Sequence, residues 1–202
     1  MILWAHFSSS MDKLIVGLGN YGTKYESTRH NIGWDVFKYL DFEGSLIWKE
    51  KFKGLFATYT YNGDKYHFLK PQTYMNLSGE SVQPLCSFFK IDPSDVLVIH
   101  DELDLAFGTI AYKKGGGLAG HNGLKSIAEC LGSKEFLRVR LGIGRPKHGS
   151  VSSWVLSKFN EMEQAHMDDV LKESAKSLEL YINKGFEKAA GKYSKKKIIS
   201  LE

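Results

Sequence analysis

The sequence predicts an α/β domain with a mixed β-sheet surrounded by helices. Short apolar runs that read as buried strands alternate with stretches of helical periodicity, the pattern of strand–helix–strand units. A separate pair of aromatic and β-branched runs is joined through Asn62-Gly63, the signature of a type I′ hairpin turn, and adds antiparallel edges. A continuous apolar run at residues 96–99 suits a central strand flanked by helices.

In chain order, residues 13–16 read as a short buried strand that runs into Gly17-x-Gly19-x-x-Gly22. The helix after this turn places His30, Trp34 and Phe37 on one stripe, which turns His30 inward. Residues 52–61 and 65–70 form the hairpin, and Pro71 ends its pairing. A loop through Thr73, Tyr74 and Met75 leads to a helix that runs to about Lys90, with Ser78 as the expected cap. Pro84 removes a donor inside that helix, which predicts a kink or a later start. Asp92-Pro93 opens a turn into the central strand, and His100-Asp101-Glu102 sit at its carboxyl end. Residues 109–113 form another strand. The run Gly115-Gly116-Gly117-Leu118-Ala119-Gly120 delivers His121-Asn122 to a helix through Leu131, and residues 139–143 make a further strand. A long polar helix is expected over residues 161–184, then a shorter one near 185–193, with Lys195-Lys196-Lys197 in a soluble tail.

Composition bounds the function. The chain has 202 residues, 43% hydrophobic and 25% charged, enough for one domain with a substantial core. A net charge of +4 is too mild to argue for or against nucleic acid, so charge placement decides. Cys86 and Cys130 are the only cysteines and form no CxxC pair, which supports neither a disulfide framework nor a structural zinc site and fits a reducing cytoplasm. Both fall on helices and read as buried apolar fillers. Residues 1–10 have no cationic start and an apolar run too short for a signal sequence or a membrane span. They read as an upstream start or an added extension, with residues 11–202 as the domain and Met11 as its functional beginning.

The glycine turn invites a dinucleotide-binding reading that the surroundings oppose. Such a unit needs an acidic residue at the end of the second strand, about twenty residues on, and here that spacing falls at Asp35 to Asp41, in or just after a helix. The helix also starts too far past the last glycine to meet a pyrophosphate. For His30, a helix start disfavours the imidazolium, while an aspartate such as Asp101 pulls the other way and fixes the tautomer. That balance suits a general base; the ordinary alternative is a core histidine satisfied by a backbone carbonyl. Asn20, Asn76 and Asn122 each occupy a turn or loop, where asparagine usually serves the backbone, yet together they can present amides to a carbonyl or peptide group. Lys113, Lys114, Lys125, Lys134, Arg138, Arg140, Arg145 and Lys147 fall in one span and suggest a phosphate-binding rim as readily as a solvated surface. There is no GxSxG elbow, no HExxH and no P-loop, and adjacent strand residues such as His100, Asp101 and Glu102 cannot converge on one metal.

Four blocks then carry a resemblance: Tyr25-x-x-Thr28-Arg29-His30-Asn31-x-Gly33, Met75-Asn76-Leu77-Ser78-Gly79, His100-Asp101-Glu102-Leu103-Asp104, and Gly117 through His121-Asn122-Gly123-Leu124-Lys125. In order and spacing the chain resembles the bacterial-type peptidyl-tRNA hydrolases. The resemblance implies hydrolysis of the ester between a peptide and the terminal ribose of tRNA, in one α/β domain with a twisted mixed sheet, monomeric and cofactor-free. It implies His30 as the base that activates water, Asp101 as its orienting partner, and Asn20, Asn76 and Asn122 as holders of the peptide and terminal adenosine. Tyr25 and Met75 shape the cleft, and Lys113 with Arg140 clamps the tRNA 5′ phosphate. The chain departs from the pattern at Tyr21, where a proline is usual, at Ala111, often basic, and at Ala119, commonly glycine. A non-catalytic RNA-binding relative of the same fold is the alternative, and a dinucleotide-dependent enzyme a more distant one.

Overall fold

In the computed structural model, which describes residues 11–199, the first apolar run becomes β1 (Asp12–Gly17), near the middle of an eight-stranded sheet. The chain turns back through α1 (Ile32–Asp35) and then forms β2 (Lys49–Lys51), β3 (Gly54–Tyr61) and β4 (Asp64–Pro71). Next come α2 (Gly79–Phe89), β5 (Val96–Glu102), β6 (Thr109–Lys114), α3 (Asn122–Leu131) and β7 (Leu137–Gly142). The last part holds α4 (Val151–Val155), α5 (Glu161–Ala165), α6 (Met167–Lys184), α7 (Phe186–Lys192) and β8 (Lys196–Lys197).

The strand order is β2-β3-β4-β1-β5-β7-β6-β8. Strands β4, β1, β5 and β7 run parallel, while β2, β3, β6 and β8 join antiparallel, so the sheet is mixed as the sequence predicts. Strand alternation divides the core in two. Ile15, Phe68, Leu97, Ile99 and Val139 pack with α1, α6 and α7, whereas Leu14, Val16, Val96 and Val98 pack with α2 and α3. Helices thus cover both faces of the parallel strands and leave their carboxyl ends for a cleft.

The glycine turn works by close packing. A Cβ at Gly33 would lie 2.5 Å from the Ile99 carbonyl and 2.7 Å from the Leu18 amide, and one at Gly17 would meet the Gly33 carbonyl at 2.6 Å. Backbone therefore touches backbone where the chain returns beneath β1. The predicted helix over His30 to Phe37 consequently shortens to α1 between two 3-10 turns, Arg29–Asn31 and Val36–Tyr39, although His30 and Phe37 do face inward.

Other differences have local causes. Asn62 and Gly63 take the left-handed angles of the expected turn, at φ 51° and 88°, but Phe52 and Lys53 do so too, at 56° and 51°. They form a second turn, and β3 starts at Gly54. Nothing in a Phe-Lys pair signals such a turn. It is held from outside by the Phe52 ring against Phe56, Phe88 and Phe89, and by the Ser81 hydroxyl, which donates to the Phe52 carbonyl at 2.6 Å. Ser78 does not cap α2: it is already helical and donates to the Met75 carbonyl at 2.8 Å, and the helix runs from Gly79 straight through Pro84. The helix expected over residues 161–184 starts where predicted, on a capping box of Asn160 and Glu163, but breaks at His166 into a short α5 and a long α6. Lys196 and Lys197 are no loose tail; they pair with β6, and Lys196 reaches Glu173 at 2.8 Å. Cys86 is buried as expected, with its thiol pushed up to about 12 by burial, but Cys130 is exposed. The reading of residues 1–10 as an extension lies outside the described residues.

Gly33→Ala is expected to cost about 1–3 kcal/mol, because the clash is with backbone atoms that have no rotamer to change. Urea unfolding measures it, and an unchanged midpoint would show that the return turn yields freely.

Candidate active site

Strands β1 and β5 end side by side, and the groups at their carboxyl ends converge. Asp101 on β5 is buried. His30 Nδ1 lies 2.8 Å from its Oδ1, and His121 Nε2 lies 2.9 Å from the same oxygen. Burial alone would raise the Asp101 carboxyl, but the two imidazoles and their hydrogen bonds outweigh it and hold the group far below the usual carboxylate range. An ionised carboxylate has no proton to give, so both facing nitrogens are donors. His121 Nδ1 accepts from the amides of Gly123 and Leu124, at 3.2 and 3.4 Å, and so caps α3. Both nitrogens of His121 are occupied. His30, with its proton on Nδ1, carries its lone pair on Nε2.

A cavity of about 570 Å³ opens beside this pair, lined by Asn20, Tyr25, His30, Met75, Asn76, Asp101 and Asn122. Asn20 is held by three hydrogen bonds. Its amide donates to Asn31 Oδ1 at 2.8 Å, Asn31 Nδ2 donates to its carbonyl at 2.9 Å, and its Oδ1 accepts from the Met75 amide at 2.7 Å. That leaves Asn20 Nδ2 as the donor free of these contacts. Asn76 and Asn122 are exposed in the same cavity, Asn122 as the first residue of α3. The far wall comes from α4, with Val151, Val155 and Leu156.

Arg29 ties that wall to the turn that carries His30. Its buried guanidinium lies 3.6 Å from the Trp154 ring centre and donates to Ser157 Oγ at 2.8 Å, Glu163 Oε2 at 2.6 Å and the Lys158 carbonyl. The residue beside His30 is thereby locked to the segment that carries α4. Behind Asp101, His100 Nδ1 donates to the Asp101 carbonyl at 2.7 Å, and its Nε2 has no partner among the described residues. Burial, reinforced by neighbouring His121, pushes His100 well below the ordinary imidazole range, so its ring is neutral.

The chain is similar throughout to proteins of one family. The family model described as Peptidyl-tRNA hydrolase matches residues 14–200. A protein of Geotalea uraniireducens named peptidyl-tRNA hydrolase is 46% identical over 188 residues, covering 93% of this chain and 98% of that one. One from Staphylococcus haemolyticus is 46% identical over 172 residues, covering 84% and 90%. The crystal structure of peptidyl-tRNA hydrolase from Acinetobacter baumannii superposes with a TM-score of 0.85 at 37% identity, over 95% of this chain and all of that one.

The chain belongs to the peptidyl-tRNA hydrolase family.

Seven of the residues that the resemblance to peptidyl-tRNA hydrolases singles out share the cavity; Lys113 and Arg140 do not. They lie on β6 and β7, on the sheet face that α2 and α3 cover, where Ala111 pairs with Arg140 and Lys113 with Arg138. That register makes Lys113 and Arg140 diagonal neighbours, about 7–8 Å apart in such a ladder, a span one phosphate can bridge. Arg140 also approaches Glu102 at 3.8 Å. Arg138 is not part of a rim. It is buried and donates to the carbonyls of Gly117, at 3.0 Å, and Gly115, which fastens the glycine loop. Within that loop Ala119 holds φ at 50°, a left-handed angle that the more usual glycine would adopt without strain.

His30, Asp101 and His121 also make a set whose ligand atoms lie within 4.8 Å of one another. At 2.8 and 2.9 Å the imidazole–carboxylate spacings are those of N–H···O bonds, and a metal would need those same nitrogens bare. The residues with no role assigned from sequence were His121, Asn31 and Arg29, all inside the matching blocks. A histidine does not read as a helix cap, and an arginine beside a base reads as solvent-facing until Glu163, more than a hundred residues on, is seen against it.

A histidine kept neutral by folding makes stability fall in acid. Above about pH 6.5, His100 is neutral folded or unfolded; below it, only the unfolded chain takes the proton. His100→Gln is expected to flatten the pH dependence of unfolding free energy as pH falls below about 6.5 by up to one proton, ~1.4 kcal/mol per pH unit. Equal slopes for both proteins in urea titrations would contradict it.

Proposed function

We propose that this chain hydrolyses the ester joining the peptide to the terminal ribose of peptidyl-tRNA, with His30 as general base. The observation that carries the reading is the 2.8 Å bond from His30 Nδ1 to a carboxylate whose proton affinity is strongly lowered, because it leaves the Nε2 lone pair beside the cavity. A water on Nε2 gives up its proton as its oxygen attacks the ester carbonyl. The imidazolium so formed is stabilised by Asp101, and its proton passes to the departing ribose oxygen. A positioned base of this kind contributes about 10²–10⁴-fold.

Carbonyl polarisation falls to amides. Asn20 is suited to it, because its fixed Oδ1 leaves Nδ2 to donate where negative charge grows; such a donor is worth about 10²–10³-fold. Asn76 and Asn122 hold the peptide and the terminal adenosine, and Tyr25 and Met75 shape the walls. Lys113 and Arg140 take the phosphate of the acceptor stem. The reaction written this way uses protein side chains and water alone, and the enzyme acts as a monomer on abandoned peptidyl-tRNA in the cytoplasm. Among the described residues no helix is long and apolar enough to cross a membrane.

His30→Ala is expected to lower kcat for cleavage of an N-blocked aminoacyl-tRNA by roughly 10²–10⁴-fold while circular dichroism stays unchanged. A folded variant with near wild-type turnover would remove the histidine from the mechanism. Lys113→Ala and Arg140→Ala are each expected to weaken tRNA binding and to reduce the slope of log affinity against log salt by about 1. Slopes equal to wild type would place the phosphate elsewhere.

A further inference from the structure

The order of the strands sorts the cleft into two ends. Across the sheet, β4 and β1 lie on one side of Asp101, and β7 and β6 lie on the other. Arg140 and Lys113 belong to the second side. On the first, Tyr74 follows β4, while Tyr21 and Tyr25 follow β1. A peptidyl-tRNA has phosphates on one side of its scissile ester and the acyl chain on the other. With the phosphates on the cations, as the proposed function has it, the acyl group falls on the tyrosines.

Those tyrosines form a connected wall. The Tyr21 and Tyr74 ring centres are 5.8 Å apart at 51°, and Tyr74 meets Tyr25 edge-on at 6.5 Å. Tyr25 already carries the Lys24 ammonium 4.8 Å from its ring centre. Tyr21 and Tyr74 are different, being 48% and 47% exposed; Tyr74 lines the cavity with Tyr25, Val151 and Leu156, and Tyr21 stands just outside that lining against the Tyr74 ring. Their positions are fixed from below. Asn20, one residue before Tyr21, bonds to the Met75 amide, one residue after Tyr74, so the two rings leave the backbone from points joined by a 2.7 Å bond.

We propose that Tyr21, with Tyr74, is a specificity-determining wall for the side chain of the peptide's C-terminal residue, favouring aromatic and large apolar residues over small ones. Rings of this kind gain by offset or edge contact with another ring, and α4 offers apolar groups on the facing wall. This inference rests on the hydrolase reading and on its assignment of the phosphate end.

One tRNA charged in turn with N-acetyl-phenylalanine and N-acetyl-glycine tests it, since only the acyl residue differs. The wild-type chain is expected to show a higher kcat/KM for the phenylalanine ester. Tyr21→Ala is expected to shrink that ratio by roughly 2- to 12-fold, the range of one aromatic pair, whereas Tyr21→Phe keeps it. A Tyr21→Ala variant that slows both substrates equally would assign the ring to the shared nucleotide and overturn the proposal, as would a ratio that does not move at all; in both cases the hydrolase reading stands. Failure of the wild-type chain to cleave either ester would overturn that reading together with the proposal.

Discussion

The site depends on one buried carboxylate serving two imidazoles. Taking Asp101 out of water costs free energy that only short, well-directed donors return. His30 and His121 supply two of them on a single oxygen, and their presence is what keeps the acid ionised. The arrangement also fixes both tautomers. One imidazole spends its second nitrogen on capping α3, so the helix start and the carboxylate brace each other, and the other faces the cavity with its lone pair. The two rings thus touch the same oxygen, and only His30 has a nitrogen left to face the cavity.

Everything nearby serves to hold His30 against Asp101. Gly17 and Gly33 let the return turn sit directly on β1 and β5, and without that contact the ring would stand farther from the sheet. Asn31 grips the backbone of Asn20, and Asn20 grips the loop at Met75, so the three walls of the cleft share one hydrogen-bonded floor. Arg29 extends the restraint to the C-terminal half by stacking on Trp154 and pairing with Glu163. The wall formed by α4 is therefore not an independent flap. Its base is fastened through the residue adjacent to His30.

What could be read in the sequence follows the range of the forces involved. Periodicity marked six of the eight strands, all but β2 and β8, and the Asn62-Gly63 turn, because those signals are local. The turn at Phe52 and Lys53 was invisible, since aromatic rings brought in by α2 impose it. The same division holds at the site. His30 and Asp101 could be paired from their positions at element ends, and the resemblance assigned their roles. The cap that His121 makes, the burial of Arg138 and the grip of Arg29 on Glu163 are contacts across 2, 21–23 and 134 residues. The first was missed although local, because histidine is an unusual cap; the others were missed because charge counted along a chain does not reveal which cations fold inward.

Arg138 and Arg140 show how the mixed sheet resolves that ambiguity. Two residues apart on β7, they point to the same face and have the same charge. Because β6 runs antiparallel, it sets Lys113 against Arg138 and Ala111 against Arg140, and the glycine loop that follows β6 doubles back over Arg138. The loop's carbonyls bind two nitrogens of one guanidinium, while the other, opposite the small alanine, stays partly exposed beside Lys113 and approaches Glu102 instead. A parallel β6 would have sent the loop to the opposite end of the sheet, and both arginines would have remained on one open patch. The reversal of a single strand thus separates the loop-bound Arg138 from Arg140 and Lys113, and it puts that pair across β5 from the tyrosines.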